Sequence, residues 1–404
     1  MSTVDPQRRV VSGMRPTGRL HLGHYHGVLK NWVRLQHQYE CFFFVADWHA
    51  LTSGPQVSEQ LAEHVREMLI DWLAVGVNPG SATLFVQSKV PEQAELHMLL
   101  SMVTPMGWLE RAPSFKDQLE HLHEGESASY GLLGYPLLQA ADILTYRAGL
   151  VPVGADQVAH IEMAREVSRR FNHLYGREVD FEEHARLAVK KLGKKVASLY
   201  SDLRSEYLSH GKSDSLLTAQ ALVREQNQLT LSDKDRLLGY LEGTGRSILP
   251  EPHSMLTQSP RIPGLDGEKM SNSRDNYIPL RAEPDEVAQK IRTMRTDPSR
   301  VRLSDPGNPE HCPVWQFHLL YSSESEQQRV LERCRSGNWG CLECKQLVID
   351  AIVEEQQPIR ERAEQYIERP DLLRSLIAEG TEKARDEARA TLEEVREAMG
   401  LYYR

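Results

Sequence analysis

The chain has 404 residues, too many for one compact core, so two domains or one domain with a large insertion are expected. Hydrophobic residues make up 40% and charged residues 26%, an ordinary globular composition, and no stretch approaches the ~18 apolar residues that a membrane span needs. The net charge of −9 excludes a surface coated in positive charge for non-specific nucleic-acid binding, so any polyanion must meet local basic patches.

The first residues, "MSTVDPQRRV", carry charge with no apolar segment behind them, which argues against a secretory signal and for the cytoplasm. From Val10 to about Asn172, short apolar runs alternate with amphipathic stretches: "CFFFVADWHAL" (Cys41–Leu51), "SEQLAEHVREMLIDWLAVG" (Ser58–Gly76), "ATLFVQS" (Ala82–Ser88). This rhythm predicts parallel strands with crossover helices, a doubly wound, Rossmann-like α/β sheet. From Asp180 to Ser247 the text turns helical, polar and free of proline, and reads as an insertion of helices. Its basic run "VKKLGKK" (Val189–Lys195) fits a solvated helix face. Strand and loop text returns over Ile248–Ser273, and after Pro284 the chain is helical to its end. The expected division is a catalytic α/β domain over 1–180 and 248–284, a helical insertion over 181–247, and an all-helical domain over 285–404.

Two motifs carry chemistry. In "PTGRLHLGH" (Pro16–His24), glycines and two histidines stand at the carboxyl edge of the first strand, where a helix is about to start. Helix N-termini at that edge offer unpaired N–H groups and partial positive charge to phosphate. His21 and His24 are three apart, so on a first helical turn they share a face and can donate to one group of oxygens. Far downstream, "GEKMSNS" (Gly267–Ser273) has the makings of a mobile loop closing over a triphosphate, with Lys269 supplying charge and Ser271 and Ser273 supplying donors.

Together these stretches resemble the two signature motifs of class I aminoacyl-tRNA synthetases. The segment "GLLGYPLLQAADILTYRAGLVPVGADQVAHIEMAREVSRRFN" (Gly131–Asn172) resembles the tryptophanyl-tRNA synthetases in particular. The resemblance implies ATP with Mg2+, L-tryptophan and tRNA(Trp) as substrates, and a homodimer. It implies catalytic roles for His21, His24, Lys269, Ser271, Thr17 and Lys116. The ATP site it implies is built from Arg15, Pro16, Thr17, Gly23, His24, Ile262, Lys269, Met270, Ser271, Asn272 and Ser273. A ribose-binding turn falls at Gly154, Ala155 and Asp156. For tryptophan it implies Asp142 as acceptor of the indole N–H, Tyr135 and Gln139 at the α-amino group, and further contacts from His49 and Gln157. Val151 and Val153 are either pocket walls or ordinary core. A tyrosyl-type enzyme and a catalytically weak tRNA-binding relative are the rival readings. One departure stands out: Asn272 replaces the loop's usual second lysine, and Arg274, Arg15 or Lys116 is expected to supply part of the missing charge.

Of the five cysteines, Cys312, Cys334, Cys341 and Cys344 follow C-x21-C-x6-C-x2-C, with Cys334 two helical turns before the close pair. Four converging thiolates accept zinc or a [4Fe–4S] cluster. The resemblance, to a subset of tryptophanyl-tRNA synthetases with nearly this spacing, implies the cluster. Cys41 reads as core.

Overall fold

The computed structural model describes residues 8–52, 58–113, 115–116, 128–154, 157–176, 180–243, 245–256, 262–300, 302 and 304–402. Among them, strands β1 (Arg9–Met14), β2 (Glu40–Val45), β3 (Ala82–Val86), β4 (Leu150–Val153) and β5 (His253–Leu256) form one parallel sheet in the order β3-β2-β1-β4-β5. The run Cys41–Val45 is buried throughout, because helices cover both faces and leave no side of the strand for polar residues. The order reverses between β1 and β4. The crevice outside their carboxyl ends is the place where open α/β sheets take ligands.

Helix α1 follows β1 and is assembled from Leu22–His24, a π-helical turn at Tyr25–Leu29, and Lys30–Leu35. Helices α2 (Leu61–Val75), α3 (Pro91–Ser101), α4 (Tyr130–Thr145) and α5 (Val158–Tyr175) complete the layers. Ser129 starts α4 by accepting the Leu132 amide at 3.2 Å, an N-cap that spares one orphan donor.

Helices α6 (Phe181–Lys191), α7 (Lys194–His210), α8 (Ser213–Arg224) and α9 (Leu231–Leu241) enclose a small core of their own around Tyr200, Val223 and Leu237. The Lys191 ammonium from the basic run reaches the Asp233 carboxylate at 2.7 Å. The chain ends in α10 (Pro284–Thr293), α11 (Pro313–Tyr321), α12 (Glu324–Arg335), α13 (Cys341–Glu368) and α14 (Pro370–Ala398). Helix α14 lies along β3, so close at Gly380 that a Cβ there would overlap the Leu84 carbonyl oxygen. No helix among the described residues is long and apolar enough to cross a membrane.

Candidate active site

The two motifs meet. The stretch after the lysine loop pairs with the start of α1: the Leu22 amide donates to the Ile278 carbonyl at 3.1 Å and the Leu280 amide to the Leu20 carbonyl at 2.9 Å. Asn276, 3% exposed, holds the loop's shape. Its Oδ1 accepts the Ser271 amide at 2.8 Å, and its Nδ2 donates to Asp266 at 2.8 Å and to the Lys269 carbonyl at 3.1 Å. Thus folded, the loop sets Met270 against Gly23 and the Asn272 amide against Gly18. Gly18 has φ +143°, a conformation few other residues adopt, and a Cβ there would stand 2.8 Å from Asn272 Nδ2. Ser271 and Ser273 share a hydroxyl hydrogen bond of 2.7 Å, and Lys269 is exposed.

The His21 and His24 rings lie 3.8 Å apart between centroids. The His21 backbone N–H donates to His24 Nδ1 at 3.3 Å, so the His24 proton sits on Nε2 and points away from the helix start. Burial, then the neighbouring His24, hold His21 down at about 3. Burial, then the Lys269 ammonium, hold His24 down at about 4. The pair is neutral at pH 7 and its N–H groups donate without charge, beside a lysine that carries charge. Such an array can grip a polyphosphate. His21 Nδ1 and Asn272 Oδ1 are buried and have no partner in the protein among the described residues. Thr17, exposed, closes a turn onto the Arg15 carbonyl at 2.9 Å, with Pro16 buried between them.

On α4, Asp142 is 1% exposed and takes three donors: His49 Nε2 on Oδ2, and Gln87 Nε2 and Gln93 Nε2 on Oδ1, each at 2.8 Å. Burial pushes its carboxyl up, against the opposing pull of His49 and Gln87. A carboxylate has about four lone-pair sites, so one acceptor position remains for a ligand N–H. Tyr135 meets the His49 ring edge-on at 4.4 Å, and burial raises its hydroxyl against the opposing pull of the Arg15 charge, which ties this pocket to the motif residues. Gln139 instead bonds His160 at 2.8 Å.

The other expected residues divide by burial. Val151 and Val153 are in the sheet core at 5% and 7% exposure, and Ile262 shares a core with Met270 and Leu22. Gly154, Gln157 and Lys116 are exposed, while Ala155 and Asp156 lie outside the described residues. Arg274, one of the three residues expected to make up the missing charge, is exposed and stands 3.9 Å from Glu268. Gln87 and Gln93 escaped the sequence reading, since an isolated glutamine at a strand end or on a first helical turn carries no local signal.

The model described as tRNA synthetases class I (W and Y) matches residues 5–195 and 216–356. A tryptophan–tRNA ligase of Ralstonia nicotianae is 60% identical over 395 residues, covering 98% of this chain and 99% of the relative. The chain belongs to the tryptophan–tRNA ligase family. Its Thermotoga maritima relative is 40% identical over 397 residues, covering 98% of this chain and 100% of that one. The tryptophanyl-tRNA synthetase of Campylobacter jejuni, solved with ADP and tryptophan, is similar with a TM-score of 0.73 at 28% identity, over 97% of this chain and 99% of that one.

The four clustered cysteines gather away from the sheet. Cys312 precedes α11, Cys334 ends α12, and Cys341 and Cys344 open α13, all lining one cleft with Arg300 and Lys345. The expectation that Cys334 sits two turns up one helix is corrected: α12 stops at Arg335, so three separate helix ends supply the thiols. Burial, reinforced by the other three cysteines, pushes Cys344 up to about 12. Arg300 donates to Cys341 Sγ at 3.6 Å. Among the described residues no group of three or more His, Cys, Asp or Glu side chains is arranged to hold a metal ion.

Proposed function

We propose that the chain joins L-tryptophan to tRNA(Trp) in two steps. The amino-acid carboxylate attacks the α-phosphorus of MgATP, forming tryptophanyl-adenylate as the bond to pyrophosphate breaks. A terminal ribose hydroxyl of the tRNA then attacks the acyl carbon, and AMP leaves. His21 and His24 donate neutral N–H bonds to the phosphates. Lys269, Ser271 and Thr17 stabilise charge as it moves to the leaving group, with Lys116 joining them from its exposed segment. Positioning and charge do the work here, with little covalent chemistry asked of side chains. Asp142, held by His49, Gln87 and Gln93, accepts the indole N–H, and a ring without that donor leaves a buried acceptor unpaired, at a cost of about 1–3 kcal/mol. The observation that carries this reading is the packing of Met270 and Asn272 onto Gly23 and Gly18, beside neutral His21 and His24. Charging of total tRNA with radiolabelled tryptophan, and not with tyrosine, is the expected result; charging with tyrosine alone overturns it.

The cysteine cleft is assigned to a [4Fe–4S] cluster in preference to zinc. Four thiols that line one cleft are the ligand set such a cluster takes, and the resemblance to cluster-bearing members of the family favours it over zinc. Bound there, it would brace the helix ends. Brown, anaerobically purified protein with visible absorption is expected, whereas a colourless protein containing zinc refutes the assignment. The homodimer is supported by Met98, Met102, Met106 and Tyr130, which expose 56%, 62%, 62% and 63% of their surface on neighbouring helices. The chain works in the cytoplasm on this reading, where its tRNA is.

A further inference from the structure

Helix α1 is not uniform. Its π-helical turn, Tyr25–Leu29, begins immediately after His24, and such turns are uncommon and often mark functional positions. His26 lies in that turn at 6% exposure. Its Nε2 is 3.0 Å from Glu355 Oε2 on α13 and 2.9 Å from the Tyr321 hydroxyl on α11. Tyr321 donates to the same Glu355 oxygen at 2.8 Å, and Lys30, one turn further along α1, donates to Glu355 Oε1 at 2.7 Å. One carboxylate therefore receives two donors from α1 and one from α11. Burial would raise Glu355, but His26 and Lys30 outweigh it and hold the carboxyl at about 2, so the acceptor stays charged.

The surroundings say what this grip controls. Leu22, at the first turn of α1, is buried in one cluster with Met270 of the lysine loop, Phe317 of α11, and Val348 and Ile352 of α13. That apolar cluster fixes the first turn without specifying rotation about the helix axis. The polar grip one turn later does specify it, because its hydrogen bonds are directional. Asp142 takes its partners from His49, Gln87 and Gln93, none of which belongs to α1, α11 or α13.

We propose that Glu355, through His26 and Tyr321, is a positioning residue that fixes the rotation of α1 and so aims His21 and His24 at the phosphates of ATP. The inference rests on the reading that these two histidines bind ATP. Release of the grip disturbs the nucleotide side of the site and spares the tryptophan side.

The test is ATP–pyrophosphate exchange by the full-length protein carrying Glu355→Gln, Tyr321→Phe or both. Each single variant is expected to lose about tenfold in kcat/KM for ATP while KM for tryptophan stays within about twofold. The double variant should be no worse than Glu355→Gln alone, since both changes break one network. Tyr321→Phe removes a single hydroxyl, so it remains informative if Glu355→Gln unfolds the chain. ATP kcat/KM within about twofold of wild type in folded Tyr321→Phe overturns the proposal, as does an equal rise in KM for both substrates. His21→Ala serves as the separate control: full exchange activity in that variant removes the assignment on which the inference rests, whatever Glu355 does.

Discussion

At the start of α1, two imidazoles have been stripped of their charge. His21 and His24 are held at about 3 and about 4, chiefly by burial, so each donates as a neutral ring and leaves the cationic role to Lys269. Both values lie below the ordinary 6.5, which makes the unfolded chain the better proton acceptor at mildly acidic pH. Their contribution to stability is complete above about pH 6.5 and drains away as pH falls towards the folded values. Replacing His24 with glutamine removes one such group. On going from pH 7 to pH 5, His24→Gln should therefore lose about 1–2 kcal/mol less stability than wild type, read from urea midpoints. Equal losses would mean that His24 titrates normally in the folded chain. In the neighbouring pocket burial acts on a carboxyl instead, raising Asp142, while three donors pull the other way and leave one acceptor position open.

Between elements, the decisive contact is the seat of the lysine loop on the turn before α1. Gly18→Ala would put a methyl 2.8 Å from Asn272 Nδ2 and place a side chain at φ +143°. It is expected to raise KM for ATP about tenfold in exchange assays, with KM for tryptophan unchanged. Adding Asn272→Ala should restore part of that loss by clearing the clash, while the backbone strain persists. If the double variant is as impaired as the single, Asn272 is not what the loop rests on. The seat also explains what the sequence disclosed and what it hid. His21, His24 and Lys269 were legible because each motif gathers its chemistry within a few contiguous residues, and the alternation of apolar runs with amphipathic stretches foretold the parallel sheet. The partners of Asp142 were not legible. Gln87 follows β3 and Gln93 opens α3, and only folding brings them to α4. The π-turn in α1 was equally hidden, since a shifted hydrogen-bond register leaves no mark on side-chain pattern. The neighbour of Arg274 was hidden as well, since Glu268, six residues earlier, comes within 3.9 Å only once the loop has folded back.

Across the whole molecule, the last helix works as a brace for the sheet. Strand β3 is an edge, and α14 covers it, adding Ala384, Ala388, Leu392 and Val395 to the cluster that contains Phe42 and Phe85. Ion pairs line the seam, with Arg385 on Glu92 at 3.1 Å, Glu387 on Arg9 at 3.0 Å and Glu394 on Arg147 at 3.0 Å. The closest approach is Gly380 over the Leu84 carbonyl, where a side chain finds backbone and nothing that can swing aside. Gly380→Val should cost about 1–3 kcal/mol in urea unfolding, as overpacked sites do, whereas Arg374→Ala on the same helix, where the side chain is exposed, should stay within about 0.5 kcal/mol. The damage should also have a direction. Gln87 begins where β3 ends, so a displaced β3 moves a donor of Asp142 before it disturbs the histidines on α1. Gly380→Val is accordingly expected to raise KM for tryptophan more than KM for ATP, the reverse of Gly18→Ala, and a uniform rise in both would show that α14 stabilises the fold without steadying the amino-acid pocket.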